Sequence, residues 1–164
     1  MRIATTLMSA ACAAALGATA FPVAADVPYT GHGKHVMVNP GELTWRDAPA
    51  VGPGVQIAVI EGPLDQKTPF TFRLRIPAGT KLMPHVHPAY ERVTVLSGTL
   101  HFAHGETFEP HKLVALPAGA VAIMPPGAPM FGVAKEETVI QLHGMGPWGL
   151  KYLNPAHDPR KQKP

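Results

Sequence analysis

Residues 79–98 read Gly-Thr-Lys-Leu-Met-Pro-His-Val-His-Pro-Ala-Tyr-Glu-Arg-Val-Thr-Val-Leu-Ser-Gly. His85 and His87 stand two positions apart, so on an extended chain both imidazoles point to one face. Glu91 follows after Pro88-Ala89-Tyr90 at matching parity and can face the same cavity from the start of the next strand. Two neutral imidazoles and one carboxylate meet the ligand needs of Fe²⁺, Mn²⁺, Ni²⁺, Cu²⁺ or Zn²⁺ and leave coordination positions open. The competing role, histidines hydrogen-bonded inside a core, would bury three polar groups on one face without a cation, which is costly.

Outward from this stretch the chain is strand-like from Val55 onward. Val55–Ile60, Phe70–Ile76, Arg92–Leu96, Thr99–Ala103, Leu113–Leu116, Val121–Met124 and Thr138–His143 each read as strands bounded by Gly, Pro or a polar turn. Phe70, Phe72, Leu74 and Ile76 alternate with Thr71, Arg73 and Arg75, the pattern of a strand with one core face and one wet face. With no helical period competing, an all-β sandwich or barrel is expected. No internal repeat marks a duplicated barrel. The 19 prolines and 16 glycines, spread without a G-X-Y period, exclude collagen and argue against a helical bundle.

The quoted stretch resembles the first motif of the cupin superfamily: Gly, five residues, His-x-His, three or four residues, Glu, six residues, Gly. Gly79, His85, His87, Glu91 and Gly98 satisfy every spacing. The resemblance covers about residues 55–146 and implies a double-stranded β-helix (jelly-roll) barrel with one divalent transition metal inside, held by His85, His87 and Glu91. It further implies a small-molecule substrate or ligand. A metal-dependent oxygenase- or isomerase-like enzyme is one outcome, and a non-catalytic metal or small-ligand binding or sensor module is the other.

The second cupin motif is kept only in part. Gly119, Pro125 and Gly127 stand at the positions that build its turn, but Met130 occupies the histidine position and Ala134 the asparagine position. Three readings of the missing fourth ligand stay open. Water can complete a three-ligand site. His143, which shares strand parity with Gln141, can point inward from a late strand. Met130 can ligate through its thioether, which favours Cu(I), or can simply pack. Tyr90, between two candidate ligands, is a candidate proton or hydrogen-bond donor, with surface or packing roles as the alternative. His101 and His104 read as outward and solvated, and His32 and His35 as solvated residues of an N-terminal arm. Trp148 is expected to close a barrel end or an oligomer contact, with substrate stacking secondary.

Of the 164 residues 46% are hydrophobic, partly because residues 1–25 form an Ala-rich apolar run behind Met1-Arg2 that ends in Val23-Ala24-Ala25. This is the pattern of a cleaved signal peptide, with Asp26 as the new N-terminus and a periplasmic or secreted location. The expected organisation is a signal peptide (1–25), an N-terminal arm (26–54), a cupin barrel (55–153) and a flexible basic tail (154–164). The lone Cys12 leaves with the signal, so neither disulfide nor thiol chemistry is expected. Thirteen basic against 11 acidic residues then give no electrostatic footprint for nucleic acid. No later apolar run approaches the length of a membrane span. Low charge and the family's habit of packing barrels together point to a homodimer. Nucleophile-elbow, phosphate-loop and dinucleotide patterns are absent from the sequence.

Overall fold

The computed structural model describes residues 35–161. The expected signal peptide (1–25), Cys12 and His32 lie outside the described residues. Eleven strands follow in chain order: β1 Arg46–Asp47, β2 Gln56–Glu61, β3 Pro69–Ile76, β4 Lys81–Val86, β5 Glu91–Ser97, β6 Thr99–His104, β7 Val114–Pro117, β8 Val121–Met124, β9 Met130–Ala134, β10 Thr138–Met145 and β11 Lys151–Tyr152. The only helical pieces among the described residues are three-residue 3₁₀ turns, none long or apolar enough to cross a membrane. All pairings are antiparallel. They build a six-stranded sheet in the order β1-β2-β3-β10-β5-β8 and a five-stranded sheet in the order β11-β4-β9-β6-β7.

The core lies between the sheets because the strands alternate. On β3 Phe70, Phe72, Leu74 and Ile76 are buried, as the sequence pattern requires. On β10 Ile140 and Leu142 oppose Leu74 and Phe72, and Leu142 also opposes Val93 of β5. Leu82, Leu100, Phe102 and Met130 answer from the other sheet. Each such side chain contributes about 1.5–3 kcal/mol by leaving water. The outward residues of β3 pair laterally: Arg73 donates to Gln141 Oε1 at 3.1 Å, and Arg75 to Gln56 Oε1 at 3.2 Å.

Gly98 turns β5 into β6 with φ +71°, and a Cβ there would run into the Glu137 carbonyl and Thr138. Its place in the first motif thus has a steric cause. The N-terminal arm carries a 3₁₀ turn at Pro40–Glu42, followed by the short β1. Pro40 suits the first position of that turn, and the Asn39 N–H donates to Glu42 Oε2 at 2.7 Å. Asn154 to Lys161, expected to fray, form two 3₁₀ turns around a buried Asp158 that accepts two 2.7 Å hydrogen bonds from Arg160. Tyr152 ties this end to the N-terminal arm, its hydroxyl lying 3.0 Å from the Ala50 carbonyl and 3.1 Å from that of Val51.

Candidate metal centre

A break in β4 brings the two histidines inward. Leu82 faces the core, so a regular strand would turn Pro84 and Val86 inward and His85 outward. The register with β9 shifts between Leu82 and His85, which moves the inward parity onto His85 and, past the strand end, His87. Pro84 sits in the irregularity, where its missing N–H costs no ladder bond. His85 stands between Met130 of β9 and Tyr152 of β11. Glu91 opens β5 on the inward face it shares with Val93 and Val95.

The three candidate ligands are 5%, 3% and 3% exposed and share one small cavity of about 30 Å³. Leu74, Ile140 and Leu142 wall it from one sheet, and Leu82, Leu100 and Phe102 from the other, with Met130 beside His85. Val51, Trp148 and Leu150 complete the wall. Trp148 and Leu150 belong to the segment after β10, which is anchored where the Trp148 N–H donates to the Leu64 carbonyl at 2.6 Å.

The hydrogen bonds fix the tautomers. His85 Nδ1 lies 2.7 Å from the Met83 carbonyl, and His87 Nδ1 lies 2.7 Å from that of Gly149. A carbonyl only accepts, so each Nδ1 carries a proton and each neutral ring keeps its lone pair on Nε2. Glu91 Oε1 accepts from Trp148 Nε1–H at 2.8 Å, while its Oε2 lies 3.3 Å from His87 Nε2. The Trp148 ring also stacks on His87, with centroids 5.6 Å apart.

That 3.3 Å contact has the distance of an ion pair, but the environment opposes charge on both partners. Burial lowers His87, and it lowers His85 to about 4 with help from neighbouring His87, against the hydrogen bond to Met83. Burial pushes the Glu91 carboxyl up to about 7, against the hydrogen bond from Trp148. A protonated Glu91 donating to a neutral His87 is the consistent description, because two buried acceptors at that distance need a proton or a cation between them.

Among the described residues no group of three or more His, Cys, Asp or Glu side chains is already arranged as a metal cage. The donor set nevertheless suits a transition ion. Two imidazoles and a carboxylate line one apolar cavity, with the far ring nitrogens tethered to carbonyls as metal-ligating histidines usually are.

The other sequence candidates divide. Met130, 1% exposed, lines the cavity at the position of the missing histidine. His143 corrects the expectation of an inward residue. Ile140 and Leu142 take the core face of β10, so His143 stands with Gln141 on the outer face, between Thr71 and Arg92, its Nδ1 buried without a hydrogen-bond partner. Tyr90, 52% exposed, lies outside the cavity lining beside Arg92. His35 and His104 are exposed, whereas His101, on the outer parity of β6, is part-buried with an unpartnered Nδ1. Sequence reasoning missed Gly149 and the indole N–H of Trp148. The only signal for them was a tryptophan in a Gly- and Pro-rich segment.

The sequence model of the family described as the ChrR cupin-like domain matches residues 33–123, more than half of the chain. No curated protein sequence matches. Solved structures do. A putative acetylacetone dioxygenase from Methylibium petroleiphilum is 15% identical, with 77% of this chain and 86% of that one covered and a TM-score of 0.60. An RmlC-like cupin from Ralstonia eutropha is 16% identical over 75% and 74% of the two chains, with a TM-score of 0.57. KdgF from Halomonas sp. is 21% identical over 66% and 93%, with a TM-score of 0.51. At these identities the likeness is one of fold, and it is the β-barrel of the cupins.

Proposed function

Since this chain belongs to the ChrR cupin-like domain family, we propose that it holds one divalent transition-metal ion through His85 Nε2, His87 Nε2 and Glu91, and presents that ion to a small molecule. The observation that carries the reading is the pair of facing acceptors, His87 Nε2 and Glu91 Oε2, 3.3 Å apart in an apolar cavity. A cation between them satisfies both at once. Met83 and Gly149 orient the rings, and Trp148 holds the far carboxylate oxygen so that Oε2 is the free donor. When bound, the ion supplies Lewis acidity and open coordination positions. The leucines, Ile140 and Phe102 keep bulk water out, which strengthens every polar contact inside. An oxygenase-like reaction on a small organic molecule is the reading drawn from neighbours such as the putative acetylacetone dioxygenase and the salicylate 1,2-dioxygenase of Pseudaminobacter salicylatoxidans.

A second reading, a metal-binding module without turnover, is favoured by the cavity itself, whose 30 Å³ accommodates a few water-sized groups and no organic substrate. Metal analysis of the purified protein, with His85→Ala as control, tests the shared premise. About one equivalent in wild type and loss in the variant are expected, and equally low content in both overturns the assignment. Oxygen uptake across small phenols, diketones and thiols separates the readings, silence favouring the module. The exported location rests on the residue pattern of 1–25, and N-terminal sequencing of protein from the host's own periplasm should begin at Asp26.

A further inference from the structure

A second hollow lies against the outer side of the centre. Val86 and Pro88 at the end of β4, Pro126 in the turn after β8, and Leu150 and Lys151 beside β4 line an open groove of about 620 Å³. That volume falls in the range of small-molecule sites, about 300–1,000 Å³, and is some twentyfold that of the metal cavity. His87 and Leu150 line both spaces, so they form the partition between them. The lining is apolar apart from the ring of His87 and the exposed ammonium of Lys151.

We propose that this groove docks a small organic anion. Its apolar body lies against Val86, Pro88 and Pro126, its carboxylate pairs with Lys151, and the Leu150 side chain separates it from the metal cavity. Charge complementarity selects the class: apolar walls reject a strongly hydrated polyanion, and one ammonium matches one carboxylate. The groove would thus be the vestibule of the centre. That connection rests on the metal reading above, whereas the docking itself does not.

The experiment uses ¹⁵N-labelled protein incubated with Zn²⁺, its zinc content measured, and titrated with benzoate and with the neutral benzamide. Benzoate is expected to shift the amide signals of Gly127, Leu150 and Lys151 saturably, and to bind about tenfold or more tighter than benzamide through its charge-assisted contact. Lys151→Gln should remove that preference with zinc content unchanged, and Lys151→Arg should restore it. In Leu150→Ala the indole N–H signal of Trp148 should join the benzoate-responsive set. No saturable shift at the groove in zinc-loaded protein, or equal affinity for the two probes, overturns the docking. A silent Trp148 indole in Leu150→Ala overturns the partition. Protein that holds no zinc yet takes benzoate at the groove refutes the metal reading and leaves the docking standing.

Discussion

Replacing Trp148 by Phe removes one hydrogen-bond donor from the centre while keeping an aromatic ring against Phe72 and His87. The donor lost is the indole N–H that reaches Glu91 Oε1 at 2.8 Å. Glu91 is buried and its carboxyl is pushed from 4.5 up to about 7. Because the folded value lies above the unfolded one, Glu91's contribution to stability is fully present below about pH 4.5. It is lost as pH rises through 7, about 3 kcal/mol in all. The indole opposes that loss by holding the ionised form. A hydrogen bond to a neutral group is worth about 0.5–1.5 kcal/mol and one to a charged group about 1.5–3 kcal/mol. Trp148→Phe should therefore cost about 1 kcal/mol at pH 5, where the folded protein carries the acid, and about 2–3 kcal/mol at pH 9, where it carries the carboxylate. Urea unfolding in EDTA, followed by far-ultraviolet circular dichroism at both pH values, reads the difference. A penalty that is the same at both, or greater at pH 5, would refute the assignment of the indole to the charged form.

Other expectations concern the same centre and its frame. Metal uptake at pH 6 should release about one proton, from Glu91, because burial already keeps His85 and His87 neutral there. Calorimetry in buffers of different ionisation enthalpy counts it, and zero or two protons would contradict the assigned states. Met130→His should raise Zn²⁺ affinity about tenfold or more by placing a nitrogen donor in the cavity beside His85, and weaker binding in competition with a chelator would show the position already filled by water or sealed by packing. His143→Ala should leave metal content unchanged, since its side chain stands on the outer face, and metal loss in that variant would return it to the centre. Gly98→Ala, which drives a methyl into the Glu137 carbonyl, should destabilise by more than about 3 kcal/mol. Gly79→Ala, at φ +83° with open space around it, should cost only about 1–2 kcal/mol; equal melting shifts would argue against the steric reading of Gly98.

The strands with plain alternation were legible, because Phe70 to Ile76 state which face is buried without reference to any partner. β4 and β9 were not. Pro84 interrupts the first, and Gly132, in a five-residue strand whose β-branched content is Val133 alone, weakens the second. Parity predicted that His85 and His87 share a face, and they do, but that this face is the inner one follows from the register slip after Leu82. The same rule gave His143 and Gln141 one face but could not say which. That choice was made by Leu142 packing inward and by Arg73 meeting Gln141 outside. The Glu91–Trp148 bond joins residues 57 positions apart, and its tryptophan lies in irregular chain, where no periodicity carries information.

The middle position of β10 between β3 and β5 has a consequence for how the chain is made. Synthesis delivers His85, His87 and Glu91 near mid-chain, but the six-stranded sheet has a gap until residue 145 has left the ribosome. Trp148 and Gly149, which hold the glutamate and one histidine, come later still. Pairings between strands so far apart in sequence place folding on the millisecond-to-second scale typical of all-β topologies. A nascent chain therefore carries its donors unassembled until nearly all of the chain has been made, and the centre is among the last parts of the molecule to exist.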